Sequence, residues 1–282
     1  MRKAKKPMKM RILPIAIALG IVVVITLCIM LFTILSQNYI IYENIAQTEE
    51  GDAAKADTII VNELVIGGVD EGKWVPAEKI YEKRNSKTGI KVDMFSKIAK
   101  YGTFDTASFK YNKKSNIVYT TTNKTPKPAE YLAITASTDY RNSYLKETAV
   151  QDNDIKSVKK ALGKYRLFNN TIKIIAAYDV FVEATIPGRV IVVTSESNFF
   201  GTYSAIVYTS STNTCIVKYA YVKNSEKSMS WPIYAANFAI DLDNDGTSEL
   251  IIQETTETTT SYTIMKYENE TFVEVLKHTI KL

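Results

Sequence analysis

With 282 residues, 46% of them hydrophobic, the chain is long enough for one large or two ordinary domains with a real core, and its 18 Tyr favour strands. The net charge of +5 is concentrated at one end: Arg2, Lys3, Lys5, Lys6, Lys9 and Arg11 take six of the 35 basic residues, leaving 29 against 30 acidic ones in the remainder. That near-neutral remainder excludes the electrostatic footprint of a nucleic-acid binder, and the single histidine, His278, excludes metal sites built on two or three imidazoles.

Residues 1–11 read as a basic tail. Ile12 to Leu35 follows with 24 residues and no charge. As a helix it is about 36 Å long, enough to cross a bilayer core of roughly 30 Å. Pro14 falls in its first turn, where a missing amide proton costs little. The positive-inside rule places residues 1–11 in the cytoplasm and everything after the span outside, with membrane lipid the partner of residues 12–35. A cleaved signal peptide is the competing reading. The run is longer than a usual h-region, and Ser36-Gln-Asn-Tyr-Ile-Ile lacks a small-x-small cleavage site, which favours an uncleaved signal-anchor. Residues 36–57 are polar after Tyr42 and read as a tether. Cys28 lies in the apolar segment and Cys215 stands alone beyond it, so no disulfide is expected in the exported part.

Residues 58–129 read as a small β-rich domain. Thr58 to Ile66 is a strand expected to stop at Gly67-Gly68, and Gly72 to Val75 is another, with Trp74 in the core. Pro76 to Tyr81 predicts one or two helical turns, and Ile90 to Phe95 a further strand. Phe109 to Tyr111 and Ile117 to Thr120 flank Asn112-Lys-Lys-Ser as a hairpin, and Thr121 to Pro128 is a connector.

Residues 130–282 read as a second β-rich region opening at Tyr131-Leu-Ala-Ile-Thr-Ala. A helix is predicted near 154–162: Ile155, Val158, Ala161 and Leu162 share a face, Asp152 or Asp154 can cap its start and Gly163 can end it. Beyond it the strands echo one another. Val190-Ile191 followed by Tyr203 and Tyr208 is matched by Leu250-Ile251 followed by Tyr262 and Tyr267. Two such three- or four-stranded units fit propeller-like blades or the halves of a sandwich; two blades cannot close a propeller, so stacked sheets are expected. The fold class is therefore mainly β, with one N-terminal transmembrane helix and one or two short helices.

The most informative stretch is Asp241-Leu-Asp-Asn-Asp-Gly-Thr-Ser-Glu249. Asp241, Asp243, Asp245 and Glu249 would repel one another if held close without a counter-ion. The spacing supplies oxygen ligands at positions one, three and five, with Gly246 at the sharp turn, the Thr247 carbonyl at seven and the Glu249 carboxylate at nine. Position twelve is Ile252 where an EF-hand keeps a glutamate, and the flanks read as strand. A polar turn capped by Asx hydrogen bonds, with no metal, is the alternative.

Asp241 to Ile252 resembles the calcium loop of FG-GAP and VCBS-type repeats, in which the loop precedes a strand carrying an apolar pair such as Leu250-Ile251. The resemblance implies Ca2+ held by Asp241, Asp243, Asp245 and Glu249 in an extracytoplasmic β-protein. In the earlier copy Thr185-Ile-Pro-Gly-Arg189 stands where the acids would be, so one ion is expected. No G-x-S-x-G, H-E-x-x-H or phosphate-cradling glycine loop is present. A glycosidase-type carboxylate pair drawn from Glu130, Asp139, Glu183 or Glu196 is invisible to sequence. The expectation is a bacterial membrane-anchored, extracytoplasmic binding or scaffolding protein, whose partner is a cell-envelope protein or glycan; a membrane-tethered hydrolase is the alternative.

Overall fold

In the computed structural model the chain divides into Met1–Ile40 and Ile41–Leu282. The structure describes residues 57–84, 89–122, 129–135, 145–163, 172–183, 185–195, 201–223 and 231–282, all in the second unit. The basic tail, the span at 12–35 and nearly all of the tether lie outside the described residues. Among the described residues no helix is long and apolar enough to cross a membrane.

Sheet I contains β1 (Ile59–Val61), β2 (Leu64–Asp70), β3 (Lys73–Pro76), β4 (Lys91–Phe95), β5 (Lys100–Asp105), β6 (Lys110–Asn112), β7 (Ile117–Tyr119) and β8 (Leu132–Thr135). Its order is β5-β4-β8-β1-β2-β7-β6, with β3 paired to β2. Thr58 to Ile66 is not one strand ending at the glycines. Asn62 and Glu63 take left-handed φ of 47° and 72°, which turns β1 back onto β2 as a two-residue hairpin. The Asn62 side chain then accepts the Tyr131 amide at 2.9 Å. β2 continues through Gly67, which pairs with Ile59 and Pro76, and a Cβ there would lie 2.4 Å from Leu276. Helix α1 (Ala77–Lys83) follows Pro76, which ends β3 and cannot donate to the ladder. β8, from the start of the expected second region, sits in the middle of sheet I between β4 and β1.

Sheet II, ordered β13-β12-β11-β10-β9, comprises β9 (Leu145–Thr148), β10 (Ile172–Glu183), β11 (Ile186–Ser195), β12 (Gly201–Ser210) and β13 (Thr214–Lys223). Helix α2 (Asp152–Gly163) precedes β10, burying Val158, Ala161 and Leu162. Ile155 is exposed rather than part of that face; in the same first turn it is Asp154 that is buried. Sheet III is the meander β14 (Ile233–Ile240), β15 (Glu249–Thr255), β16 (Thr259–Glu268) and β17 (Thr271–Lys281).

The side-chain alternation of each strand decides how these sheets stack. Val190, Val192, Ile206 and Tyr208 of sheet II meet Leu250, Ile252, Met265 and Phe272 of sheet III in one core. The opposite face of sheet III, with Phe238, Ile251 and Ile264, packs on Ile59, Ile66 and Leu132 of sheet I. The outer face of sheet I buries Ile60 and Val65 under Ala77 and Ile80 of α1, and that of sheet II buries Ile191 and Val193 under α2. The layers thus run α1, sheet I, sheet III, sheet II, α2. Runs such as Leu250-Ile251-Ile252 are apolar at every position because both faces are covered. Truncating Ile251 or Ile264 to Ala would cost about 2–5 kcal/mol.

Both copies of the sequence echo are four-stranded antiparallel meanders, but the register differs. Val190 pairs with Tyr208, whereas Leu250 pairs with Met265, two residues short of Tyr267. Tyr208 and Tyr267 nevertheless meet edge-on across the interface of sheets II and III, with ring centroids 5.5 Å apart. A buried ion pair also joins these sheets, Lys218 Nζ lying 2.8 Å from Glu274.

Candidate metal centre

The acidic loop joins β14 to β15, so it is flanked by strand on both sides. Its backbone is bent by two left-handed residues, Asn244 at φ 60° and Gly246 at φ 90°. The turn is held by its own carboxylates: Asp241 accepts the amides of Asp245 at 3.2 Å and Gly246 at 2.9 Å, and Asp245 accepts that of Thr247 at 2.8 Å. Ser248 N–H donates to the Val182 carbonyl at 2.7 Å, and Thr247 forms a bridge with Glu183. The loop of sheet III is therefore stitched to the end of β10 in sheet II.

Asp241, Asp243 and Glu249 each offer an oxygen within 4.8 Å of the others. Glu249 is the deepest, with none of its surface exposed. Its Oε2 accepts the Leu242 amide at 2.7 Å, while Oε1 has no hydrogen-bond partner. Asp243 Oδ1 is likewise buried without a partner. Burial pushes the Asp241 and Asp243 carboxyls up, and burial together with the neighbouring Asp243 charge pushes Glu249 well above the usual carboxylate range. Two orphaned carboxylate oxygens beside a third acid, all of them hard donors, fit a metal cation that prefers oxygen ligands.

Asp245 does not join that group. It is exposed and lies 3.0 Å from Lys266 Nζ, which also binds Asp243. Burial alone would lower the Lys266 pKa, but the carboxylates of Asp243 and Asp245 raise it above its ordinary value. Thr247 is half-buried, and Ile252 is in the core. Lys266 has no sequence signal. It arrives from β16 through strand pairing.

A second charged cluster is also absent from the sequence motifs. Arg189 makes a bidentate contact with Asp154, both distances 2.8 Å, and reaches Asp179 at 2.7 Å and the Ala149 carbonyl at 3.0 Å. Asp154 is 1% exposed and also accepts the Gln151 amide at 2.7 Å, which caps α2. Gln151, Asp154, Asp179 and Arg189 line a cavity of about 670 Å³ between α2 and strands β10 to β12. Of the acids proposed for a carboxylate pair, Glu130 pairs with Lys97 at 2.8 Å and Glu183 ends β10. Asp139 and Glu196 lie outside the described residues. The chain matches no protein-family model, no curated protein and no solved structure.

Proposed function

We propose that the chain is a membrane-anchored, extracytoplasmic binding or scaffolding protein whose stacked sheets are clamped by one Ca2+ ion. The observation that carries the calcium part is the fully buried Glu249, whose Oε1 is unpartnered beside Asp241 and Asp243. A buried carboxylate oxygen without a partner is destabilising, and an oxygen-ligated cation removes that penalty. The anchor and the exported location rest on the uncharged run from Ile12 to Leu35 and the six basic residues before it. Its ligand is a cell-envelope protein or glycan.

An ion at this loop acts on folding. Extracellular modules bind calcium at about 0.1–1 mM, so roughly 1–2 mM free ion adds ~0.4–1.8 kcal/mol of stability. Because Ser248 bonds to Val182, that gain is shared by sheets II and III. The test has two arms. Protease added outside intact cells should digest everything beyond the tether, and a protected C-terminal body would reverse the topology. Calcium should raise the melting temperature of the wild type but not of Asp241→Ala/Asp243→Ala, and an equal rise in both would remove the ion site.

A further inference from the structure

The acidic loop is already served by a cation of the protein's own. Leu250 pairs with Met265, which brings Lys266 beside Glu249 where β15 leaves the loop. The Lys266 ammonium hydrogen-bonds Asp243, lies 3.0 Å from Asp245 and has Glu268 at 3.8 Å on its own strand. The lysine thus neutralises the outer acids, while the innermost oxygen, Glu249 Oε1, stays without a partner.

Ion and ammonium would have to share the Asp243 carboxylate, whose Oδ2 holds Lys266 while Oδ1 has no partner. A divalent ion bound there would sit within about 3–5 Å of the ammonium, where like charges repel strongly even at the effective dielectric of a protein surface. Glu268, about one-third exposed, offers the ammonium a nearby alternative. We propose that Lys266 is a built-in competitor for the divalent ion. In the ion-free loop its ammonium holds Asp243 and Asp245, and on ion binding it withdraws to Glu268. This rests on the calcium reading of the loop and adds a regulation to it: displacing the lysine lowers the apparent affinity, so half-saturation moves to a higher external calcium concentration. The competitor also explains how four acids fold around this turn before any ion arrives.

The test is calorimetric titration of Ca2+ into the full chain in detergent. Lys266→Met should bind about tenfold more tightly than the wild type, ~1.4 kcal/mol, whereas Lys266→Arg, which keeps the charge, should stay within about threefold. Glu268→Gln, altered at a partly exposed position, should bind about threefold more weakly because the ammonium loses its alternative partner. Should both Lys266→Met and Glu268→Gln bind calcium with wild-type affinity, the competition is overturned while the calcium site stands. If neither the folded wild type nor folded Lys266→Met binds Ca2+, the ion site itself fails and the competition with it. Wild-type affinity in Glu268→Gln alone overturns the withdrawal route even if Lys266→Met does not fold.

Discussion

Glu249→Gln separates the two roles of the buried acid. The substitution keeps the shape and the acceptor for the Leu242 amide, now 2.7 Å from Oε2, but deletes the charge. In the ion-free protein that charge lies with those of Asp241 and Asp243, their oxygens within 4.8 Å. One such pair at that distance is worth ~3 kcal/mol of repulsion at an effective dielectric near 20. Lys266 offsets part of it through Asp243, leaving about 1–2 kcal/mol to be relieved when Glu249 is ionised. For a body of this size each kcal/mol moves the melting temperature by about 2–4 °C. In chelator near pH 8, Glu249→Gln should therefore melt ~2–8 °C above the wild type. In about 2 mM calcium the wild type should gain roughly 1–7 °C and the variant nothing. Scanning calorimetry of both proteins in both buffers gives all four values. A variant that keeps the full calcium-dependent rise, or one that melts below the wild type in chelator, refutes the reasoning.

Two further outcomes are expected. Because Asp241, Asp243 and Glu249 hold protons more tightly folded than unfolded, their contribution to ion-free stability is fully present below about pH 4 and is lost as pH rises through their raised folded values. His278, lowered by burial, acts with the opposite sign: its contribution is present above about pH 6.5 and is lost as pH falls through its folded value. The difference in melting temperature between the wild type and Asp241→Asn/Asp243→Asn/Glu249→Gln isolates the loop, and a difference that does not grow with pH contradicts the assignment. Arg189→Met should destabilise by about 3–5 kcal/mol in urea unfolding, since Asp154 is 1% exposed and loses its bidentate partner. Arg189→Lys should restore only part of that, and a loss below ~1 kcal/mol would show that Asp154 tolerates being left alone.

Local chemistry was legible where it depends on neighbours in the chain. The acidic spacing, the strands on either side of it, the hairpin at Asn112 and the helix ending at Gly163 all follow from short-range rules. What depends on distant partners was not. Gly67 reads as a stop until Leu276 is placed against it. Leu132–Thr135 reads as the start of a region until its pairing with β1 and β4 is known. Ile155 reads as apolar face, because nothing local says that Arg189 draws Asp154 inward instead. Within the loop, the spacing singles out five residues; Lys266, which contacts two of them, arrives from the next hairpin. Continuous apolar runs blurred the period-two signal, since strands covered on both sides lose their polar alternation.

Sheet III follows sheets I and II in the chain yet forms the middle of the stack. As the chain leaves the ribosome, sheets I and II emerge first, each with an inner face waiting for residues beyond Ile233. Neither core can close until the β14–β17 meander is available, so assembly waits for sheet III rather than proceeding strand by strand. A premature stop within β16 or β17 would accordingly strip the lining from two sheets that were made intact. Such a nascent product would present its greasy inner faces to chaperones and proteases.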